Sequence, residues 1–321
     1  MIPFILVLVV LFSSLPLPAQ SPVLVKDVNS FRVGSPSSKP FEFLPVLGGH
    51  AFCVADDGRN GDELHRIDLK KGGSELVKDI NPGSASSSIT DLCVLGNRLF
   101  FNARVSGTGR ELWVTDGTAT GTVMVADIMP GSQGSDPFEL CAMGGKLFFS
   151  CDGGGMGREL WVSDGTVKGT RMVADIAGGS TGSDPRDLTA LGQVLLFKAD
   201  DQVHGPELWV SDGTSTGTRL LIDFYPGATG SDPTPIPTLS PEELGGFFRV
   251  GSLVYFRATT AAAGVELCRT DGTAKGTFLE RIQVTPTGSG PWGAWSFSRP
   301  WNPTWVGSSG RPTGPRPVPS W

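Results

Sequence analysis

Short runs of alternating apolar and polar residues, separated by glycine-rich turns, fill most of the chain. Between residues 136 and 176 there are four such runs, at 138–143, 146–151, 158–163 and 170–176. Their short length and their aromatic and β-branched content are typical of β-strands. No window of helical length has a 3.6-residue apolar period. The pattern therefore predicts a unit of four strands without helices.

The four-strand pattern recurs along the chain with a step of about 48 residues. Its most regular part, Glu-Leu-Trp-Val-[Thr/Ser]-Asp-Gly-Thr, begins at Glu111, Glu159 and Glu207, with a fourth copy at Glu266 and a degraded one at Glu63. Four short strands per unit are typical of a β-propeller blade. We therefore predict an all-β repeat array, a β-propeller in preference to another repeated β-array. Its five recognisable units span about 41–80, 87–128, 136–176, 184–224 and 233–284.

Both ends of the chain depart from the repeat domain, which spans 21–290. Residues 4–12 form an apolar run followed by small residues, which is typical of a signal peptide over 1–20 and too short to span a bilayer. Residues 22–28 resemble a fourth strand without the rest of its unit, as expected for a strand that closes a propeller ring. The segment 291–321 is rich in Trp, Pro and Gly and lacks the repeat. We expect this tail to be disordered or frame-shifted, which would leave the ring incomplete.

Composition excludes several classes of function. The net charge is −6, and no cluster of Lys and Arg is interleaved with aromatic residues, so nucleic acid is not an expected partner. The five Cys residues contain no Cys-x-x-Cys pair, so a zinc site is not expected. Cys93 and Cys141 occupy the same position of successive units and are interpreted as small buried apolar residues, with a disulfide between them as the alternative.

One Trp recurs in each regular unit, at Trp113, Trp161 and Trp209. A large aromatic residue once per unit suits the space between neighbouring sheets, and we prefer this role to a surface for sugars. His65 and Cys268 take this position in units one and five. Those two units are therefore expected to pack more loosely.

The Asp-Gly-Thr turns carry the residues that could bind a metal, with Ca²⁺ as the candidate. Calcium prefers six to eight oxygen ligands, but each turn has a single carboxylate and no Asp-x-Asp-x-Asp run. A cap that hydrogen-bonds the turn backbone is therefore the preferred role. No other cofactor is predicted. The four turn residues concerned are Asp116, Asp164, Asp212 and Asp271.

The repeated Glu residues might suggest a glycosidase, which needs two carboxyl groups with unequal pKa values. Identical residues in identical settings do not provide that inequality. The three His residues share no metal-binding spacing, and no phosphate loop follows a strand. We therefore predict no catalytic residue, and the protein is expected not to be an enzyme.

The repeated motif Glu-Leu-Trp-x-[Thr/Ser]-Asp-Gly-Thr-x-x-Gly-Thr resembles the ELWxxDGT repeats of exported bacterial proteins, which are often described as hyalin-like. The resemblance implies a secreted or surface-attached, propeller-like array and implies no catalytic residue. The turns are also loosely similar to sialidase Asp-boxes and to the turns of TolB-type propellers, both of which are structural.

These observations predict an exported protein, secreted or at the cell surface or in the periplasm, that acts as a non-catalytic binding or structural module. Its expected partners are proteins or glycans, and no membrane span is expected. Unit five is longer than the others, and its insertion at 234–251 is the predicted source of specificity. The alternatives are a propeller-type polysaccharide hydrolase or lyase, and a truncated gene product without stable function.

Overall fold

The computed structural model describes residues 41–236, 246–280, 282–283 and 296–297. Every secondary-structure element in these residues is a strand, which confirms the all-β prediction. Within the same residues, no helix has the length and apolar character needed to cross a bilayer. The predicted signal peptide, the strand at 22–28 and most of the tail at 291–321 lie outside the described residues.

Twenty of the strands form five four-stranded antiparallel sheets, and in each sheet the strands follow their order in the chain. The strands of unit three lie where the sequence pattern predicts them. The fifth sheet is followed by a two-residue pair, β21 and β22. The bounds are β1 Phe41–Leu47, β2 His50–Asp56, β3 Asp62–Asp68, β4 Ser74–Leu76, β5 Thr90–Leu95, β6 Arg98–Val105, β7 Gly109–Thr115, β8 Val123–Ala126, β9 Phe138–Met143, β10 Lys146–Asp152, β11 Arg158–Ser163, β12 Arg171–Ala174, β13 Arg186–Leu191, β14 Val194–Asp200, β15 Pro206–Ser211, β16 Arg219–Ile222, β17 Phe248–Val250, β18 Leu253–Thr260, β19 Gly264–Thr270, β20 Phe278–Leu279, β21 Ile282–Gln283 and β22 Ser296–Phe297.

Four apolar clusters hold the sheets together, one between each successive pair. Phe100 and Phe101 show how one strand serves two of them. Phe101 packs with the first sheet, whereas Phe100 packs with the third, because successive side chains of a strand point to opposite faces. Both side chains are fully buried. The adjacent aromatic residues of each unit thus join the sheet to both of its neighbours.

The repeated Trp residues lie between neighbouring sheets, as predicted. Trp113 packs in the cluster between the first two sheets, and Trp209 packs in the cluster between the third and the fourth. Trp161 packs against the cluster between the second and third sheets. Where Cys268 replaces Trp, the cluster contains three phenylalanine side chains, which supply aromatic packing there in place of the indole. The expectation that this unit packs more loosely stays a prediction.

Neighbouring sheets approach one another along their first strands, since β1 contacts β5, β5 contacts β9 and β9 contacts β13. Each of the strands β5, β9 and β13 has a bulge near its start, where the pairing with the second strand shifts register. An acidic residue takes a left-handed backbone conformation at each bulge, at Asp91, Glu139 and Asp187. The first strands therefore gather at one side of the array and carry acidic residues at their starts.

Candidate functional site

The Asp-Gly-Thr turns have the geometry of the predicted backbone caps. Asp164 Oδ1 accepts hydrogen bonds from Thr166 N at 2.9 Å and from Thr166 Oγ1 at 2.7 Å. Gly165 takes a φ of 87°, which favours glycine. The same pair of bonds recurs at Asp116, Asp212 and Asp271. These local bonds account for the repeat of Asp, Gly and Thr.

No group of three or more potential metal ligands from His, Cys, Asp and Glu occurs in the part of the chain that the structure describes. Hydrogen bonds from Thr166 lower the pKa of Asp164, and the equivalent bonds lower the pKa of Asp116 and Asp212. Ca²⁺ binding at these turns stays the alternative to the cap.

The repeated Glu residues connect one sheet to the next. Glu159 is fully buried and accepts hydrogen bonds from Ile176 N, Ala177 N and Ser183 N at 3.2, 3.3 and 3.0 Å, and from Ser183 Oγ. These donors belong to the loop that leads from β12 to β13. Glu111 and Glu207 bind the equivalent loops in the same way. Each carboxyl therefore fixes the connection that begins the next sheet.

Burial raises the pKa of Glu207 to about 7, and the hydrogen bonds from Ser231, Tyr225 and Phe224 act in the opposite direction. Burial raises the pKa of Glu111 and of Glu159 as well. The three carboxyls lie in different sheets, each surrounded by its own loop, and do not form the carboxyl pair of a glycosidase. Their hydrogen bonds to the loops give these carboxyls a structural role in the connection between sheets.

The Cys residues all have free thiols. Cys93 and Cys141 are half-buried on the neighbouring strands β5 and β9. Burial raises the pKa of Cys93 to about 11 and that of Cys141 to about 12. This setting suits the predicted role as small apolar residues, because thiols with such pKa values are almost entirely protonated at neutral pH.

A cavity of about 370 Å³ lies where the first strands of units two to four begin. Its size falls in the range of about 300–1,000 Å³ that is common for small-ligand pockets. We call it the arginine cavity, because three guanidinium groups from three different units line it. The lining residues are Thr90, Asp91, Asn102, Arg110, Asp136, Pro137, Phe138, Arg158 and Arg186.

Backbone carbonyl groups and one amide hold the first two arginines of the cavity in place. Arg110 Nη1 donates to Ser88 O at 2.5 Å and to Asn102 Oδ1 at 2.6 Å. Arg158 Nη1 donates to Asp136 O at 2.9 Å and to Ser150 O at 3.3 Å. Their side chains are 22% and 20% exposed, respectively. The two guanidinium groups are therefore fixed at the cavity wall.

The third arginine shares an aromatic contact with the second. The guanidinium carbons of Arg158 and Arg186 lie 4.5 and 4.7 Å from the centre of the Phe138 ring, within the range of a cation–π contact. Arg186 Nε also pairs with Asp184 Oδ2 at 2.9 Å. Phe138 therefore provides an apolar surface between two charged groups.

A close approach of two glycines positions Arg110. A Cβ atom on Gly109 would overlap the backbone of Gln133 and Gly134, and both glycines have positive φ. This contact brings the loop that leads to β9 against the start of β7, where Arg110 forms a parallel bridge with Gly134. Asp136 in that loop and Phe138 at the start of β9 are thereby brought to the cavity.

Several positions that line the cavity differ between units that are otherwise alike. The residue before the repeated Glu is Arg110 in unit two and Arg158 in unit three, but Pro206 in unit four. The position after the Pro of the connecting loop is Phe138 in unit three and Arg186 in unit four. Sequence reasoning missed this site, although variation inside a strict repeat was a signal that could have indicated it.

The insertion in unit five is described in part. Phe247 is buried, and its N–H donates to Thr189 Oγ1 at 2.7 Å, so this portion packs against the first strand of unit four. Arg249 Nη1 donates to Ala190 O of the same strand at 3.1 Å. Residues 237–245 of the insertion lie outside the described residues, and its role in specificity stays a prediction.

No model of a known protein family matches the chain. The comparison with curated proteins also gives no match.

Solved structures give low-identity similarities to this chain. A puromycin hydrolase mutant complexed with PGG has 13% identity and a TM-score of 0.48, over 80% of this chain and 42% of that one. TolB from Acinetobacter baumannii has 14% identity and a TM-score of 0.40, over 71% and 50%. An uncharacterized protein from Listeria monocytogenes EGD-e has 9% identity and a TM-score of 0.43, over 74% and 64%. The chain thus spans about two fifths of the puromycin hydrolase and half of this TolB.

Proposed function

We propose that the protein is a non-catalytic binding module and that the arginine cavity holds its ligand. The observation that carries this proposal is the convergence of repeat-breaking polar residues on one cavity. Repeated residues such as Glu159 maintain the unit, and selection for the fold alone would keep successive units alike. Polar residues that differ between units and meet at one place are better explained by recognition of a ligand.

The geometry of the cavity supports binding rather than a purely structural role. Fixed guanidinium groups lose little conformational entropy when they bind a ligand, because their side chains are already ordered. Arg110 and Arg158 are ordered by groups of the protein itself, which include Ser88 O and Ser150 O. A polar ligand could therefore meet a site that is formed in advance.

The five sheets are, in our proposal, blades of a β-propeller. This arrangement is supported by the meander of four strands in each sheet, by the contacts among the first strands, and by the apolar clusters between successive sheets. Small-angle scattering of the purified chain tests it. A ring or partial ring gives a compact profile, and an extended profile would contradict a propeller.

We also propose that the protein is exported. The apolar run at 4–12 and the small residues after it support this location. Mass spectrometry of the protein from the culture medium and from the periplasm tests it. The expected product lacks about the first 20 residues, and an uncleaved product confined to the cytoplasm would contradict export.

A ligand screen tests the binding proposal. Arg158→Gln removes one guanidinium of the cavity, and Arg219→Gln is the matched control, since Arg219 is exposed on β16 and lies outside the cavity. Purified protein is screened by thermal shift against panels of saccharides and peptides. We expect a compound that stabilises the wild type and the control but not Arg158→Gln. If every binder stabilises all three proteins equally, the cavity is not the binding site.

A polysaccharide hydrolase or lyase is the second candidate, and the carboxyl of Glu139 favours it. Burial and the negative charges of Asp187 and Asp91 raise the pKa of Glu139. A raised pKa is what a general acid needs near neutral pH. Polygalacturonate is incubated with the wild type and with Glu139→Gln, and reducing ends and unsaturated uronate are measured. Cleavage by the wild type alone would contradict a non-catalytic role.

A further inference from the structure

We infer that the first sheet binds the N-terminal segment 22–28 of the same chain on the face that is turned away from the second sheet. We call this surface the outer face and define it by Cys53, Ala55 and His65. The inference goes beyond the proposed ligand site, because it concerns a separate surface at one end of the array.

The alternation of side chains along β2 places Cys53 on the outer face. Phe52 and Val54 belong to the cluster between the first and second sheets. Successive side chains of a strand point to opposite faces, so Cys53 and Ala55 point away from the second sheet. Cys53 pairs in register with His65, as Phe101 pairs with Trp113 in unit two. Cys53 and His65 thus correspond to the Phe and Trp that face the preceding unit.

The outer face is buried. Cys53 is 2% exposed, and Ala55 is fully buried. Neither residue belongs to any of the four apolar clusters of the described residues. Among the described sheets, the second packs on the first, and it does so on the opposite face. The burial of the outer face therefore requires a cover from another part of the chain.

The other junctions between units show what kind of cover fits. Val77 and Ile80, from the end of unit one, pack in one cluster with Phe101 and Trp113 of unit two. Two apolar residues with the same spacing of three cover each following unit, and at the last junction the rings of Phe224 and Phe256 lie 6.1 Å apart. The equivalent pairs are Val125 and Ile128, Val173 and Ile176, and Leu221 and Phe224.

The segment 22–28 carries this pair of residues. Its sequence Pro-Val-Leu-Val-Lys-Asp-Val aligns without a gap with Ser-Glu-Leu-Val-Lys-Asp-Ile at 74–80. Val25 takes the place of Val77, and Val28 takes the place of Ile80. An apolar residue followed at the second position by Asp and at the third by another apolar residue occurs nowhere else outside the described residues. The segment is therefore the occupant that the repeat pattern selects.

The chain is long enough to place the segment there. In units two and three, nine residues lead from the second residue of the pair to the next first strand, at 129–137 and 177–185. Twelve residues, 29–40, lead from Val28 to the start of β1. The segment can therefore reach the same position relative to the first sheet that a fourth strand has relative to the next sheet.

Cys53 is a natural reporter of the cover. The protein without its predicted signal peptide, residues 21–321, is treated with N-ethylmaleimide at pH 8, and modified cysteines are identified by peptide mass spectrometry. Val28→Asp places a charge in the proposed contact. Val23→Asp is the matched control, because Val23 takes the place of Glu75, whose side chain is 61% exposed.

We expect Cys53 to react at least about tenfold faster in Val28→Asp than in the wild type, because loss of the cover opens the site locally. In Val23→Asp the rate should equal that of the wild type. Cys151 is fully buried between the second and third sheets and should stay unmodified in all three proteins. If Cys151 reacts as well, the variant has unfolded, and hydrogen exchange of the wild type then decides. The amides of 22–28 should exchange at least about tenfold more slowly than those of an unstructured peptide.

Four results would overturn the inference. The segment does not cover the outer face if Cys53 reacts at the wild-type rate in folded Val28→Asp. The same conclusion follows if the amides of 22–28 exchange as fast as those of an unstructured peptide. If deletion of 298–321 exposes Cys53 and Val28→Asp does not, the C-terminal segment is the cover. If dilution of the wild type exposes Cys53 while the sedimentation coefficient falls to that of a monomer, a second copy of the chain is the cover.

Discussion

Replacing Glu159 by alanine removes the carboxylate that joins β11 to the loop before β13. Four hydrogen bonds are lost at once, from the N–H groups of Ile176, Ala177 and Ser183 and from the Ser183 hydroxyl. The carboxylate is fully buried, so these donors cannot all turn to bulk water when it is removed. We expect the variant to be strongly destabilised.

The magnitude follows from the burial and the number of bonds. Each hydrogen bond to a charged group contributes about 1.5–3 kcal/mol to the free energy of unfolding. The free-energy cost of burying the carboxylate offsets much of the sum over the four bonds. Breaking a buried charged network by removing one partner costs about 3–5 kcal/mol. We expect a loss in this range for Glu159→Ala. With a urea m-value of about 3 kcal/mol/M, the unfolding midpoint should fall by about 1–1.7 M.

Equilibrium urea unfolding, followed by tryptophan fluorescence, measures the effect. Glu266→Ala is the matched control, because Glu266 has the same place in the motif of unit five but is only half-buried. Ser183→Ala removes a single donor and should cost about 1 kcal/mol. If Glu159→Ala costs no more than Glu266→Ala, the hydrogen-bonded carboxylate does not stabilise the connection between sheets, and our account of the repeated Glu is wrong.

Three further predictions concern the other repeated residues. The indole N–H of Trp161 is buried without a hydrogen-bond partner among the described residues, so Trp161→Phe should lower the free energy of unfolding by less than about 1.5 kcal/mol. Trp161→Ala should lower it by about 3–5 kcal/mol in the same urea assay. Equal losses for the two variants would argue against packing as the role of this residue. If the Asp-Gly-Thr turns are caps alone, thermal unfolding should be the same in excess Ca²⁺ and in EDTA, and a clear rise of the midpoint with Ca²⁺ would show that they bind the ion. Burial raises the pKa of Cys53 to about 11 and that of Cys268 to about 12. Both thiols should therefore react slowly with a thiol reagent at pH 8 in the native protein and quickly in urea. A fast reaction of the native protein at pH 8 would contradict their burial.

The candidate site shows where reasoning from the sequence stopped. Arg110 and Arg158 lie one position before the repeated Glu and are not part of the repeated motif. No short stretch of sequence contains all three arginines of the cavity. Arg110, Arg158 and Arg186 come from three units and meet only because the sheets stand side by side along their first strands.

The sequence by itself determined the features that depend on local contacts. Strand positions in unit three follow from the two-residue alternation of apolar side chains, and the cap at Asp164 follows from hydrogen bonds that reach only two residues along the chain. The position of Trp113 between sheets also followed, because one large aromatic residue per unit must be buried by its neighbour.

Tertiary structure alone decided the features that depend on contacts between distant residues. Glu159 is a structural carboxylate because Ser183 lies 24 positions away in sequence and next to it in space. Asp136 bridges arginines from two units because the connecting loop folds back over the start of β7. A repeat fixes what each unit contains, whereas the stacking of units decides which of their differing side chains meet, and that is where the arginine cavity forms.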